Sequence, residues 1–103
     1  MDWIELIHLR TASDGERDAA LDAFAQLSWS DWHDDLKEIK LLRNCTLTLD
    51  LSLLIVWRRR VCAEAKSPLG LRLAAAFSDF GQINHSVWDC EATVDASIQE
   101  STR

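Results

Sequence analysis

From residue 47 to residue 57 every odd position is apolar: Leu47, Leu49, Leu51, Leu53, Ile55 and Trp57. The even positions are Thr48, Asp50, Ser52, Leu54 and Val56. A period of two is the signature of a β-strand with one face in a core. A helical reading would scatter Leu49, Leu53 and Ile55 around a cylinder, so it is rejected. At about 3.3 Å per residue such a strand would run roughly 36 Å, which predicts a bulge or an end reaching past the chain's own core. Its even positions change from polar to apolar along its length, so the second face of its sheet is oily at one end.

The other elements arrange themselves around this strand. Residues 3–9, WIELIHL, are β-prone and almost wholly apolar, as in a central strand covered on both faces. Ser13, with Glu16 three positions later, has the spacing of a capping box, and Ala20, Leu21, Phe24 and Leu27 follow as one helical stripe beside the stem of Arg17. A polar connection carrying Trp29 leads to residues 36–43. There Ile39 and Leu41 alternate with Glu38 and Lys40, predicting a strand that is wet on one side. Arg43, Asn44, Cys45 and Thr46 read as a short hairpin, since Asn tolerates positive φ. After a loop over residues 61–66, Ser67 and Pro68 form a cap and a first helical position. Leu69, Leu73, Ala76, Phe77 and Phe80 make the stripe, and Gly81 reads as a left-handed stop. Residues 83–90 read as a fourth strand. Residues 1–92 therefore form one domain, and 93–103, polar apart from Val94 and Ile98, a loosely held tail.

Strand, helix, strand, strand, helix, strand is the ferredoxin-like α+β order, with both helices on one face of a four-stranded antiparallel sheet. The opposite face, bearing Leu54, Val56 and alternate residues of the first strand, is too apolar to stand in water. This predicts self-association as a homodimer through that sheet face. Seventeen acidic against eleven basic residues, net −6, argue against a nucleic-acid partner, and the most apolar run is far shorter than a membrane span. Cys45, Cys62 and Cys90 are far apart with no CxxC, which predicts buried or half-buried thiols, a cytoplasmic setting and no metal site. Arg58, Arg59 and Arg60 read as a solvated strand end.

This layout, with HLRTAS after the first strand and SPLGLRLAAAFSDFGQINHSVW in the second half, resembles the dimeric α+β barrel superfamily, and most of all its antibiotic biosynthesis monooxygenase-like group. The resemblance covers about residues 3–90. It implies two subunits packed sheet to sheet and a cavity for a small organic ligand between each helix layer and its sheet. The enzyme it implies is a cofactor-independent monooxygenase acting on an aromatic or polyketide-like compound. The alternative is a non-catalytic ligand-binding or assembly protein. Haem-degrading relatives use Asn, Trp and His together, but here the first strand carries His8 in place of Asn and the second helix has no His, so no cofactor is expected.

The chemistry such an oxygenase needs is a base, a hydrogen-bond donor and an apolar cavity. His85 and His8 are the candidate bases, since imidazole titrates near neutral pH; if they share a face they flank one pocket. Asn84, Ser86, Trp88 and Trp57 are the candidate ligand-binding residues, polar and aromatic groups suited to orienting a flat molecule. Strand parity keeps Glu5 away from His8 and His85 away from Ser86, so a serine hydrolase is not expected. The second helix begins without a Gly-rich lead-in and offers no phosphate site.

Overall fold

The computed structural model describes residues 2–27, 34–58 and 66–96. Strand β1 (Trp3–Thr11) leads to helix α1 (Asp14–Ala25), then strands β2 (Leu36–Arg43) and β3 (Asp50–Trp57). Helix α2 (Pro68–Phe77), a 3-10 turn (Ser78–Phe80) and strand β4 (Gly81–Asp89) complete the chain. The strands form one antiparallel sheet in the order β2-β3-β1-β4, the ferredoxin-like α+β arrangement expected from the sequence. Much of the Trp29 connection, Arg59, Arg60, most of the 61–66 loop, Cys62 and Ile98 lie outside the described residues.

Strand parity divides the sheet into two unlike faces. Trp3, Ile7 and Leu9 of β1 and Leu51, Leu53, Ile55 and Trp57 of β3 are buried with Ala20 of α1 and Leu73 and Phe77 of α2. Leu21, Phe24 and Leu27 pack onto this core as half-buried neighbours. The registers Ile4↔Val56 and Leu6↔Leu54, with Trp88 beside Ile4 and Ser86 beside Leu6, place the alternate residues on the face opposite the helices.

Both helix starts follow the capping logic. Ser13 Oγ accepts from the Glu16 amide at 3.2 Å, and Ser67 Oγ accepts from the Gly70 amide at 2.9 Å, with Pro68 at the first position of α2. The stripe of α2 departs from expectation at one place. Ala76 is exposed, and Gly70 is buried with Leu73 and Phe77.

Four further expectations are corrected. The β2–β3 connection is longer than a four-residue hairpin and the long strand begins at Asp50. The Asn44 carboxamide oxygen accepts from the amides of Thr46 and Leu47 at 2.8 Å, and Leu47 C=O accepts from Asp50 N–H at 2.8 Å. These local bonds take Leu47 out of the ladder and leave its side chain exposed. The register irregularity falls in β2, between Leu36 and Glu38; it lets Leu36 and Ile39, three apart, both meet helix-side partners, Trp57 and Ile55. Gly81 has φ 162° and ψ −160°, extended rather than left-handed. Its requirement for glycine is contact, because a Cβ would lie 2.8 Å from the Arg10 carbonyl carbon and 2.9 Å from Thr11 Cα. Cys45 is exposed and Cys90 half-buried, so only the latter matches the expected setting.

Candidate functional site

Glu5 sits in β1, pointing toward the helices between Trp3 and Ile7, with no solvent exposure. An ionised carboxylate there is costly unless donors surround it. Four do. Ser67 N–H donates to Oε1 at 2.9 Å and Trp57 Nε1–H to Oε2 at 2.8 Å. The Ser67 hydroxyl donates to Oε2, and His85 Nε2 lies 3.0 Å from Oε1. The first turn of α2 thus ends on a carboxylate from the chain itself, a favourable place for negative charge. The backbone approaches so closely that a Cβ on Gly70 would lie 2.8 Å from Glu5 Cδ and 3.0 Å from Oε2.

Each element supplies one part by its own local logic. Parity on β1 brings Glu5 to the covered face. Pairing of β1 with β4 puts His85 opposite Ile7, and pairing with β3 puts Trp57 opposite Trp3, where the two indoles stack at 5.4 Å and 13°. The His85 side chain is 4% exposed. Its Nδ1 is buried and has no hydrogen-bond partner among the described residues. A buried polar atom left open beside a saturated carboxylate calls for a functional or structural explanation. Half-buried Leu69, Ile83 and Val87 supply apolar surroundings on α2 and β4.

His8 is not part of this site. It lies on the opposite face, 37% exposed, with Nε2 3.3 Å from Asp50 Oδ2, while Arg10 Nε binds Asp50 Oδ1 at 3.2 Å. The Arg10 hydrogen bonds hold the Asp50 carboxyl below the usual carboxylate range. Burial opposes them, and the charges of Arg10 and His8 reinforce them. The same pairing raises Arg10 further. Asn84 stands opposite His8, and His8, Arg10, Gln82, Ile83 and Asn84 line an open groove of about 230 Å³. Ser86 and Trp88 share this face, with Trp88 Nε1–H donating to Ser86 Oγ at 2.8 Å and the indole 58% exposed.

Of the residues singled out in the sequence, His85 and Trp57 therefore meet on the helix side, while His8, Asn84, Ser86 and Trp88 gather on the other. The condition under which the two histidines would flank one pocket is not met, because β1 and β4 pair Ile7 with His85 and His8 with Asn84. Glu5, Ser67 and Gly70 were not singled out as site residues. The signal for Glu5 was its parity with Trp3 and Ile7, which commits a carboxylate to the covered face. Among the described residues no cluster of three or more His, Cys, Asp or Glu is arranged to hold a metal ion. No helix among them is long and apolar enough to cross a membrane.

No protein family matches the chain, and no curated protein matches it significantly. Solved structures do. Rv0793 from Mycobacterium tuberculosis superposes with a TM-score of 0.60 at 16% identity, over 92% of this chain and 100% of its own. SnoaB from Streptomyces nogalater, a cofactor-independent oxygenase, superposes in a mutant form with a TM-score of 0.59 at 14% identity, over 90% of this chain and 96% of its own. A second SnoaB structure gives 0.55 at 13%. At 13–16% identity these likenesses show the fold, so the α+β, ferredoxin-like architecture read from the sequence is shared with them.

Proposed function

We propose that this chain is a cofactor-independent monooxygenase of a flat, electron-rich organic compound, with His85 as its general base. The observation that carries the reading is the buried Glu5–His85 pair, 3.0 Å apart, whose imidazole keeps Nδ1 unpartnered among the described residues. A carboxylate on one ring nitrogen orients the imidazole, leaving the other nitrogen to take a proton from substrate. The fold shared with a cofactor-independent oxygenase supports the same chemistry.

The reaction needs no external reductant. Proton removal from an activated phenol or carbon acid gives an anion that can pass electrons to dioxygen. Where the reacting carbon is a methylene between aromatic or carbonyl groups, both of its C–H bonds break and a C=O double bond forms in their place. The substrate thereby supplies all four electrons that dioxygen accepts. One oxygen atom enters the product, and the other leaves as water with the two hydrogens. Trp57 orients Glu5 through its indole N–H and walls the site with its ring. His8, Asn84, Ser86 and Trp88 serve the opposite face, which a second copy of the chain covers in a homodimer.

The test is oxygen uptake with a panel of hydroquinones and flavonoids. The wild-type protein consumes dioxygen with at least one of them, and His85→Ala lowers that rate by about 100-fold or more, the scale of a lost general base. His8→Ala changes assembly and leaves the rate within a few-fold. The second reading is a non-catalytic binding or assembly protein, in which the saturated Glu5 serves to fasten α2 to the sheet. It wins if the whole panel is inert and a paired Glu5→Leu, His85→Leu variant is less stable than wild type.

A further inference from the structure

We infer that Ser67 is a positioning residue that fixes the tautomer of His85 through Glu5, so that the cap of α2 sets which imidazole nitrogen faces the substrate. The inference rests on His85 being the base, and it follows from counting protons. Ser67 Oγ accepts the Gly70 N–H at 2.9 Å, so its own proton is free to point at Glu5 Oε2. Ser67 N–H and Trp57 Nε1–H have no acceptor role to offer, and both point at the same carboxylate. With two positions filled by N–H donors and a third by the Ser67 hydroxyl, which donates while it accepts from Gly70, Glu5 is satisfied as an acceptor-only carboxylate. The nitrogen that approaches its fourth position, Nε2 of His85, therefore carries the hydrogen, and Nδ1 is left with the lone pair.

Ser67 supplies two of the four donors from one residue, and it is also the residue that starts α2. The base is thus competent only while the first turn of α2 is seated on Glu5. Trp57 supplies the third donor from β3, so helix and sheet hold the carboxylate from two sides.

The experiment is a long-range nitrogen–proton NMR correlation on His85 in the ligand-free protein at alkaline pH, with oxygen uptake measured on the same samples. The expected wild-type spectrum has hydrogen on Nε2 and a bare Nδ1. Ser67→Gly removes the hydroxyl while keeping a residue tolerated at helix caps. It should give a mixture of tautomers and about a tenfold lower kcat with KM within about twofold. Ser67→Thr should restore both. Trp57→Phe, which removes the other Oε2 donor and leaves the cap intact, should mix the tautomers too, and it serves if Ser67→Gly does not fold. Hydrogen on Nδ1 in the wild type, or a single unchanged tautomer in Ser67→Gly or Trp57→Phe, overturns the inference even if oxygen is consumed. The expected spectra with an inert panel uphold the inference for the imidazole and overturn the monooxygenase reading.

Discussion

Gly70→Ala sets two effects of opposite sign against each other. Gly70 is in the first turn of α2, two residues after Pro68, where helix propensity alone says that alanine should stabilise by about 1 kcal/mol. The structure says otherwise, because the new Cβ would stand 2.8 Å from Glu5 Cδ and 3.0 Å from Oε2. A flexible side-chain end could move aside, but this one is held by Trp57, Ser67 and His85 and has no solvent to retreat into. Overpacking costs about 1–3 kcal/mol, and losing one hydrogen bond to a charged group about 1.5–3 kcal/mol. After subtracting the propensity gain, the net loss is about 3 kcal/mol, or a melting temperature lower by roughly 12–24 °C in a domain of this size. Urea unfolding at fixed protein concentration measures it, and a double-mutant cycle isolates the cause. With Glu5→Ala the obstacle is gone, so Gly70→Ala in that background should be neutral or stabilising. Wild-type stability in Gly70→Ala, or the same loss in both backgrounds, would refute the close-approach argument.

Glu5→Gln replaces an acceptor with an amide whose nitrogen must confront two donors. Stability should fall by about 3 kcal/mol or more in chemical denaturation, while the apolar Glu5→Leu, His85→Leu pair costs less than this single change. Because the folded Asp50 carboxyl is held below its unfolded value, its contribution is complete above the ordinary carboxylate range and is lost as pH falls through the lower folded value. Below about pH 4, the stability of Asp50→Asn should therefore fall less steeply with acid than that of wild type, as read by thermal unfolding across pH. Leu54→Lys places a charge on the open sheet face opposite Leu6. Sedimentation should show two chains for the wild type and an 11.7 kDa particle for the variant, and a monomeric wild type at high concentration would remove the homodimer.

What the sequence made legible is what strand and helix periods report. The odd positions of β3 formed the floor under both helices, and Ser13 and Ser67 capped the helices expected of them. Less legible was anything decided by contacts distant in sequence. Gly81 looks like a helix stop until the Arg10 backbone, across β1, is seen to leave no room for a Cβ. Asn44 could signal a tight hairpin or a wider turn, and its two side-chain bonds select the wider one. The candidate site shows the same division. His85 is visible as a titratable residue in a strand, but its face depends on register with β1. Parity places Glu5 on the covered face, but what satisfies it there is seen only once Ser67, 62 residues away, is known to lie on it.

The alternation of β1 explains why one short strand can hold two polar clusters without mixing them. Glu5 points to the helices, and three positions on, His8 points to the open face with Arg10, so the two groups are separated by the thickness of the sheet. Each is stabilised by a different neighbour, Glu5 by the start of α2 and His8 and Arg10 by Asp50 of β3. Substitutions at His8, Arg10 or Asp50 should therefore act on the open face and acid stability, and substitutions at Glu5, Ser67 or Gly70 on the seating of α2 and the orientation of His85. A one-residue slip of β1 would exchange the clusters, exposing Glu5 and burying His8 and Arg10 among the core leucines. Every charged residue of this strand thus resists that register, which makes the polar groups as much a part of the fold's specification as the apolar residues between them.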